Sequence, residues 1–250
     1  MFTGIGLVAF CCIFGASVAG LFLGRLLPRD HHERPTQKTV QAVMSIVGLL
    51  AALVLGLMVA SAKSNLDTAA REVEQFSSGL ILLDREAAHF GAETAPIRDL
   101  LRLFTEEKIA QTWGTSANTI ADHLRTVAML DDIQERLRAF SVQSDADKLA
   151  RKAALRLVAD LKLNSRLLAV QQDNRTPRAF WFVIVFWLSA LFLSFALFAP
   201  SNATVVVALV VASFSVSAAL NLIVDMDHPF AGYIHVSKAP MEQALSQMKP

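Results

Sequence analysis

Four long apolar runs divide the chain. The first extends from residue 1 to about 27 and carries no charged side chain before Arg25, and the second covers about 39–62. The third covers 179–199 and the fourth covers 203–224, again without a charge. Each run matches the roughly 20 residues that a helix needs to cross a hydrocarbon core. The pattern predicts four transmembrane helices in two pairs.

The segment between the pairs has mixed charge, and its apolar residues recur at three- and four-residue spacing, which is typical of amphipathic helices. It predicts four helices, beginning near Asn65, at Pro96, near 116 and at Ser144. Pro96 suits a first helical turn, and Ser144 with Asp147 three residues later predicts a helix N-terminus. The first and last of these helices are expected to continue the neighbouring transmembrane helices.

The predicted fold class is an all-α membrane protein with an intervening helical, water-facing domain. The predicted domains are 1–62 for the first transmembrane pair, 63–178 for the water-facing domain, 179–224 for the second pair and 225–250 for a C-terminal tail. Composition agrees, since 54% of the residues are hydrophobic and only 18% are charged. A net charge of +1 leaves no basic stripe for nucleic acid.

Catalytic and nucleotide-binding motifs are missing from the sequence. It contains no HExxH, GxSxG, Walker or GxGxxG pattern, so neither an enzyme nor a cofactor is predicted. The one enzymatic alternative is an intramembrane site built from Asp225, Asp227 and His228, acting on lipid. It would require one of these side chains to be essential.

Small residues form stripes on the first two transmembrane helices. Ala16, Gly20 and Gly24 recur at four-residue spacing on the first, a pattern that favours close helix packing in lipid. The second helix carries a similar face, for which two interpretations stay open: helix packing, or the wall of an ion pore. This face consists of Ser45, Gly48, Ala52 and Gly56.

The fourth transmembrane helix has one polar face, made of Ser213, Ser217 and Asn221. Because lipid penalises polar groups, this face is expected to point inward, either for interhelical hydrogen bonds or along an ion pathway. The helix leads to Asp225 and Asp227, which are candidate ligands for a hard cation. The spaced carboxylates of an EF-hand are absent, so no metal site is predicted.

Several motifs resemble the bestrophin-like domain family over nearly the whole chain. The most specific of them lie in the C-terminal third: Pro200 and Asn202 within Leu197–Thr204, and Asp227, Pro229, Phe230 and Gly232 in a DxPFxG pattern. Leu83-Asp84, Phe90-Gly91 and Arg98 also resemble that family's soluble-domain pattern.

The resemblance implies a distant relation to bestrophins, which are pentameric anion channels with two helix pairs, a cytoplasmic helical domain and a pore lined mainly by the second transmembrane helix. It therefore implies a homo-oligomer in the bacterial inner membrane, with inorganic anions and the lipid bilayer as its partners. The phenylalanine-rich neck of eukaryotic bestrophins has no clear counterpart in residues 48–59. Their acidic calcium cluster is echoed only by Asp225 and Asp227, so calcium dependence is not implied.

The charged flanks of the two pairs disagree about orientation. Basic residues around the first short loop, 28–35, place the domain outside the cell, whereas Arg175 and Arg178 before the third helix place it inside. The resemblance favours the cytoplasm. The main alternative to a channel is a membrane-anchored sensor or scaffold, in which the helical domain binds a ligand or partner and no ion passes.

Overall fold

A computed structural model describes residues 4–26, 34–114, 120–141, 144–173 and 177–248. The predicted loop at 28–35 lies mostly outside the described residues. Eight α-helices, and no strand, occur in the described part. They are α1 Gly4–Leu26, α2 Arg34–His89, α3 Ala95–Trp113, α4 Ile120–Ala139, α5 Asp145–Asp173, α6 Arg178–Leu197, α7 Ala203–Met226 and α8 Ala239–Gln247.

The predicted fold class is confirmed, because four of the described helices, α1, α2, α6 and α7, are long and apolar enough to cross a membrane. The chain forms two compact units. Unit 1 consists of Met1–Asn65 and Arg175–His228, and unit 2 consists of Leu66–Asn174 and Pro229–Pro250.

Two expectations about helix continuity have different outcomes. α2 is one unbroken helix of 56 residues, so the second transmembrane helix does continue into the first helix of the water-facing segment. No Pro or Gly between Lys63 and Asn65 interrupts it. On the other side the expectation is wrong, since α5 ends at Asp173 and α6 begins at Arg178. Pro177 precedes α6 with φ −54° and ψ 136°, a backbone conformation that is not helical.

In unit 1, α1 packs closely against α6 through its stripe of small residues. A side chain at Gly20 would collide with the backbone carbonyl of Leu193, and one at Gly24 with the carbonyl of Leu197. The two backbones can approach this closely only because both positions lack a Cβ atom. The packing role predicted for this stripe is therefore confirmed.

The turn between α6 and α7 explains two of the family-motif residues. The backbone N–H of Asn202 donates to the carbonyl of Pro200 at 2.9 Å. The Asn202 side-chain oxygen accepts from the N–H of Val205 at 3.0 Å, which caps the N-terminus of α7. A short capped turn therefore joins the two helices.

Unit 2 has a continuous apolar core to which α2, α3, α4, α5 and α8 all contribute. Its largest fully buried side chains are Phe76, Leu80, Leu83, Leu101, Phe104, Leu130, Ile133, Leu137 and Leu161. At the end of α2, Gly91 has φ +78°, a conformation that favours glycine. The buried Thr94 hydroxyl donates back toward the carbonyls of Ala87 and Gly91, which fixes the turn into α3.

The C-terminal segment belongs to unit 2 and packs on α3. The Trp113 indole N–H donates to the Val236 carbonyl at 2.8 Å, and the Trp113 ring meets the Phe230 ring edge-on at 5.6 Å between centroids. The carbonyl of the buried Pro229 accepts from the N–H of Val236 at 2.7 Å, and Gly232 has φ +99°. Three residues of the DxPFxG motif thus fold this segment back on itself. The sequence analysis predicted neither α8 nor this docking.

Candidate functional site

The membrane portion of α2 is the least covered apolar helix in the described structure. Only 6% of its most apolar stretch is buried, against 28% for α1 and for α6. One narrow face is packed, at Ala51, Met58 and Ala62. The remainder of the helix carries exposed large apolar side chains: Val43, Ile46, Leu49, Leu50, Leu53 and Leu57.

The four candidate residues on α2 lie along the border of this packed face. Ser45, Ala52 and Gly56 are exposed, and Gly48 is half-buried. A side chain at Gly48 would meet the Leu191 side chain at 2.8 Å, whereas one at Gly56 would meet nothing within 4 Å. The Ser45 hydroxyl donates to the Gln41 carbonyl at 2.7 Å. The stripe is therefore weakly polar, and three of its four members are open to lipid or to another copy of the chain.

The candidates on α7 have a different environment. Ser213 and Ser217 are fully buried in unit 1, and neither hydroxyl has a hydrogen-bond partner among the described residues. Asn221, one turn further, is half-buried and has an interaction partner. The α7 serines are thus buried, whereas three of the four α2 candidates are exposed. The structure does not bring the two sets together.

The acidic end of α7 is buried and well bonded. Asp225 and Asp227 are 6% and 7% exposed, and both have interaction partners. The Asp227 N–H donates to the carbonyl of Ile223 at 3.0 Å, and His228 Nδ1 lies 2.8 Å from the carbonyl of Val224. Within the described ranges no three potential ligands gather closely enough to hold a metal ion. This end of α7 therefore has the features of a capped helix terminus.

An ion pair in unit 2 joins two residues of the soluble-domain pattern. Arg98 on α3 donates to both carboxylate oxygens of Asp84 on α2, at 2.8 and 3.2 Å. The Asp84 side chain is 8% exposed and that of Arg98 is 25% exposed. This hydrogen bond is the main cause of the raised pKa of Arg98. Because the pair is bidentate, it also fixes the rotation of α3 against α2.

A buried cation in unit 2 was missed by the sequence analysis. Lys108 on α3 is only 3% exposed, and its ammonium group donates to the Gln111 side-chain carbonyl at 3.3 Å. Among the described residues no carboxylate lies within 4 Å of it, and burial lowers the pKa of this lysine to about 8. The available signal was its phase, since Lys108 lies on the helix face of Leu101 and Phe104, which is the core face.

Solved structures show how general this architecture is. A tryptophan-to-alanine variant of a bacterial bestrophin homologue from Klebsiella pneumoniae is similar with a TM-score of 0.70 and 16% identity, over 99% of this chain and 98% of that chain. A zinc-phased structure of a bacterial bestrophin homologue from Klebsiella pneumoniae gives 0.65 and 16%, over 94% and 97%. A structure described as a membrane protein variant gives 0.66 and 15%, over 98% of both chains. At such low identity these likenesses show the fold.

The fold is thus that of a helical membrane protein of the bestrophin type. The sequence profile of the Bestrophin-like domain matches residues 11–241. The chain therefore belongs to the Bestrophin-like domain family, as its motifs predicted. No curated protein sequence matches it.

Proposed function

We propose that the protein is a homo-oligomeric ion channel of the bestrophin type that conducts anions across the bacterial inner membrane. Several copies, five by resemblance to bestrophins, surround an axis on which the membrane portions of their α2 helices meet. Fold and family support the channel class. Anion conduction and the number of copies are proposed in addition to this class.

The observation that carries the proposal is the uncovered state of α2. In unit 1, α1 packs against both α6 and α7, whereas only 6% of the apolar stretch of α2 is buried. In lipid, helices associate where small residues let their backbones approach. The exposed Ser45, Ala52 and Gly56 provide such a surface for a second copy.

Permeation through such a pore would be passive. An axis lined by alanine and leucine side chains and by the backbone at glycine has no fixed positive charge, so it favours anions that lose water easily over strongly hydrated ions. Ser45 adds one weak dipole per copy at the beginning of this stretch. We place the ion path on α2 and assign the buried Ser213 and Ser217 to helix packing; Asn221 is the half-buried member of the three polar α7 candidates.

Gly56 offers a direct test, because a larger side chain there fits the single chain but narrows a shared axis. The control is Gly15→Phe: Gly15 is exposed on α1 and also has nothing within 4 Å of an added Cβ. Purified protein in a planar bilayer under a chloride gradient should reverse near the chloride equilibrium potential. Gly56→Phe should reduce the conductance at least several-fold, and Gly15→Phe should leave it unchanged.

Two results would count against the proposal in different ways. Equal conductance in Gly56→Phe and wild type would remove α2 from the pore. Silence of an intact oligomer would favour the sensor or scaffold, in which unit 2 binds a ligand and the helices serve as an anchor. The oligomeric mass separates these cases first, because a single chain with four membrane helices has little room for an aqueous path.

For orientation we propose that unit 2 faces the cytoplasm, in line with the bestrophins and with the charges around α6. We propose no catalytic activity. Replacement of Asp225, Asp227 or His228 should therefore change the packing at the end of α7 and should abolish no enzymatic activity.

A further inference from the structure

A narrow apolar groove runs between α1 and α7 in unit 1 and ends at an arginine. Its volume is about 240 Å³. Six apolar side chains and one charged side chain line it: Phe14, Val18, Leu21, Phe22, Val206, Leu209 and Arg25. Because both helices are long and apolar enough to span a membrane, the apolar part of this groove faces the lipid hydrocarbon.

Arg25 also borders a second cavity, of about 370 Å³, at the turn between α6 and α7. Its other lining residues include Gly24, Pro200 and Ser201. The first cavity is almost entirely apolar, whereas the second is lined by apolar side chains and polar groups in about equal measure. The guanidinium group of Arg25 thus lies where the apolar groove meets the more polar second cavity.

The position of Arg25 along α1 matches the membrane boundary. It is the last residue but one in a helix of 23 residues, so it lies at the end of the span. The groove extends from Arg25 back to Phe14, which is roughly 16 Å at 1.5 Å per residue. This length is close to one leaflet, about half of the 30 Å hydrocarbon core.

The charge of Arg25 lacks a counterion in the described part of the chain. Its guanidinium group lies 5.9 Å from the centroid of the Phe22 ring, and no carboxylate among the described residues is within 4 Å. The sequence from Arg25 to Lys38 contains four basic and two acidic residues, so the local charge is positive. An arginine at this depth directs its head group toward the lipid phosphates.

We propose that these two cavities form one site for an anionic membrane phospholipid. One acyl chain lies in the groove between α1 and α7, and the phosphodiester binds the Arg25 guanidinium in the second cavity, beside Pro200 and Ser201. Guanidinium is suited to this ligand because its planar fork donates two parallel hydrogen bonds to phosphate oxygens. The site is independent of conduction, and it is formed within a single chain.

The test is photo-crosslinking of the full-length protein in detergent micelles. The probe is phosphatidylglycerol with a diazirine near the middle of one acyl chain, and peptide mapping locates the label. We expect labelling on α1 and α7 at the groove residues. Unlabelled phosphatidylglycerol should reduce this labelling at a concentration about tenfold lower than phosphatidylcholine, because the proposed hydrogen bond to Arg25 is charge-assisted. Arg25→Gln should reduce the groove labelling by a similar factor and leave labelling elsewhere unchanged.

Two further variants keep the proposal open to refutation. Val206→Phe fills the groove and should abolish its labelling while oligomeric mass stays the same. Arg178→Gln is the matched control, because it also removes an arginine charge but lies far from the site. Arg178 begins α6, whereas Gly24, next to Arg25, packs against Leu197 at the other end of that helix. If Arg25→Gln does not assemble, the lipid competition on wild-type protein decides alone. Equal competition by both lipids, or a Val18→Cys variant that forms a disulfide between two copies, would overturn the proposal, since the groove would then be unselective or covered by protein.

Discussion

Replacement of Lys108 by methionine should stabilise unit 2, by an amount that depends on pH. Burial lowers the pKa of Lys108 from 10.5 to about 8. Each pKa unit corresponds to 1.36 kcal/mol, so the charged form costs about 3 kcal/mol of folding free energy. Methionine has a similar length and no charge, so Lys108→Met should raise the free energy of unfolding by about 3 kcal/mol at pH 7.

The sign of the pH dependence follows from proton binding. Below pH 8 the amine is protonated in the folded and the unfolded chain, so the full cost is present. Between pH 8 and 10.5 the unfolded chain binds more protons than the folded chain, and the free energy of unfolding of the wild type rises with pH. The advantage of Lys108→Met should therefore shrink across this window.

Guanidinium chloride unfolding of the full chain in micelles, at pH 7, 8, 9 and 10, measures this difference. Trp113 fluorescence reports on unit 2 once Trp181 and Trp187 are replaced by phenylalanine. Lys148→Met is the control: the Lys148 side chain is 58% exposed, so its removal should give no pH-dependent change. Two results would refute the reasoning, because the ammonium would then be hydrated or paired. The first is a Lys108→Met protein with the same free energy of unfolding as the wild type at pH 7. The second is a difference in free energy of unfolding between the two proteins that stays constant from pH 8 to 10.

Three other substitutions test contacts that hold each unit together. Trp113→Phe removes the indole hydrogen bond to the C-terminal segment, so we expect a loss of about 1 kcal/mol and faster proteolysis of the segment after residue 229. Asp84→Asn should lower the stability of unit 2 by about 1 kcal/mol. The loss is smaller than for a fully buried pair because Arg98 is partly exposed. Arg98→Lys should lower the stability by a similar amount, since lysine cannot form the bidentate contact with Asp84. Gly20→Leu should separate α1 from α6 and lower the thermal midpoint by many degrees, whereas Gly15→Leu, in open space, should not; equal midpoints for the two variants would contradict the close packing.

Much of the candidate site depended on information that no local pattern holds. Gly20 and Gly56 look alike in the sequence, each in an apolar run with small neighbours at four-residue spacing. In the structure one lies against a backbone carbonyl and the other faces open space. Likewise, the serines of α7 and the stripe of α2 were both candidates for a pore, and the structure places the two serines in full burial but leaves three of the four α2 residues exposed.

The sequence by itself determined the four membrane-spanning helices, the helical character of the segment between them and the family. These depend on run length, helical period and local motifs, which are readable residue by residue. Tertiary structure decided that the C-terminal segment docks on Trp113, that Lys108 is buried without a carboxylate partner in the described part of the chain, and that Arg25 lies between two cavities. Each of these results depends on which distant helix comes to lie beside a residue, and that is set by the packing of the whole core.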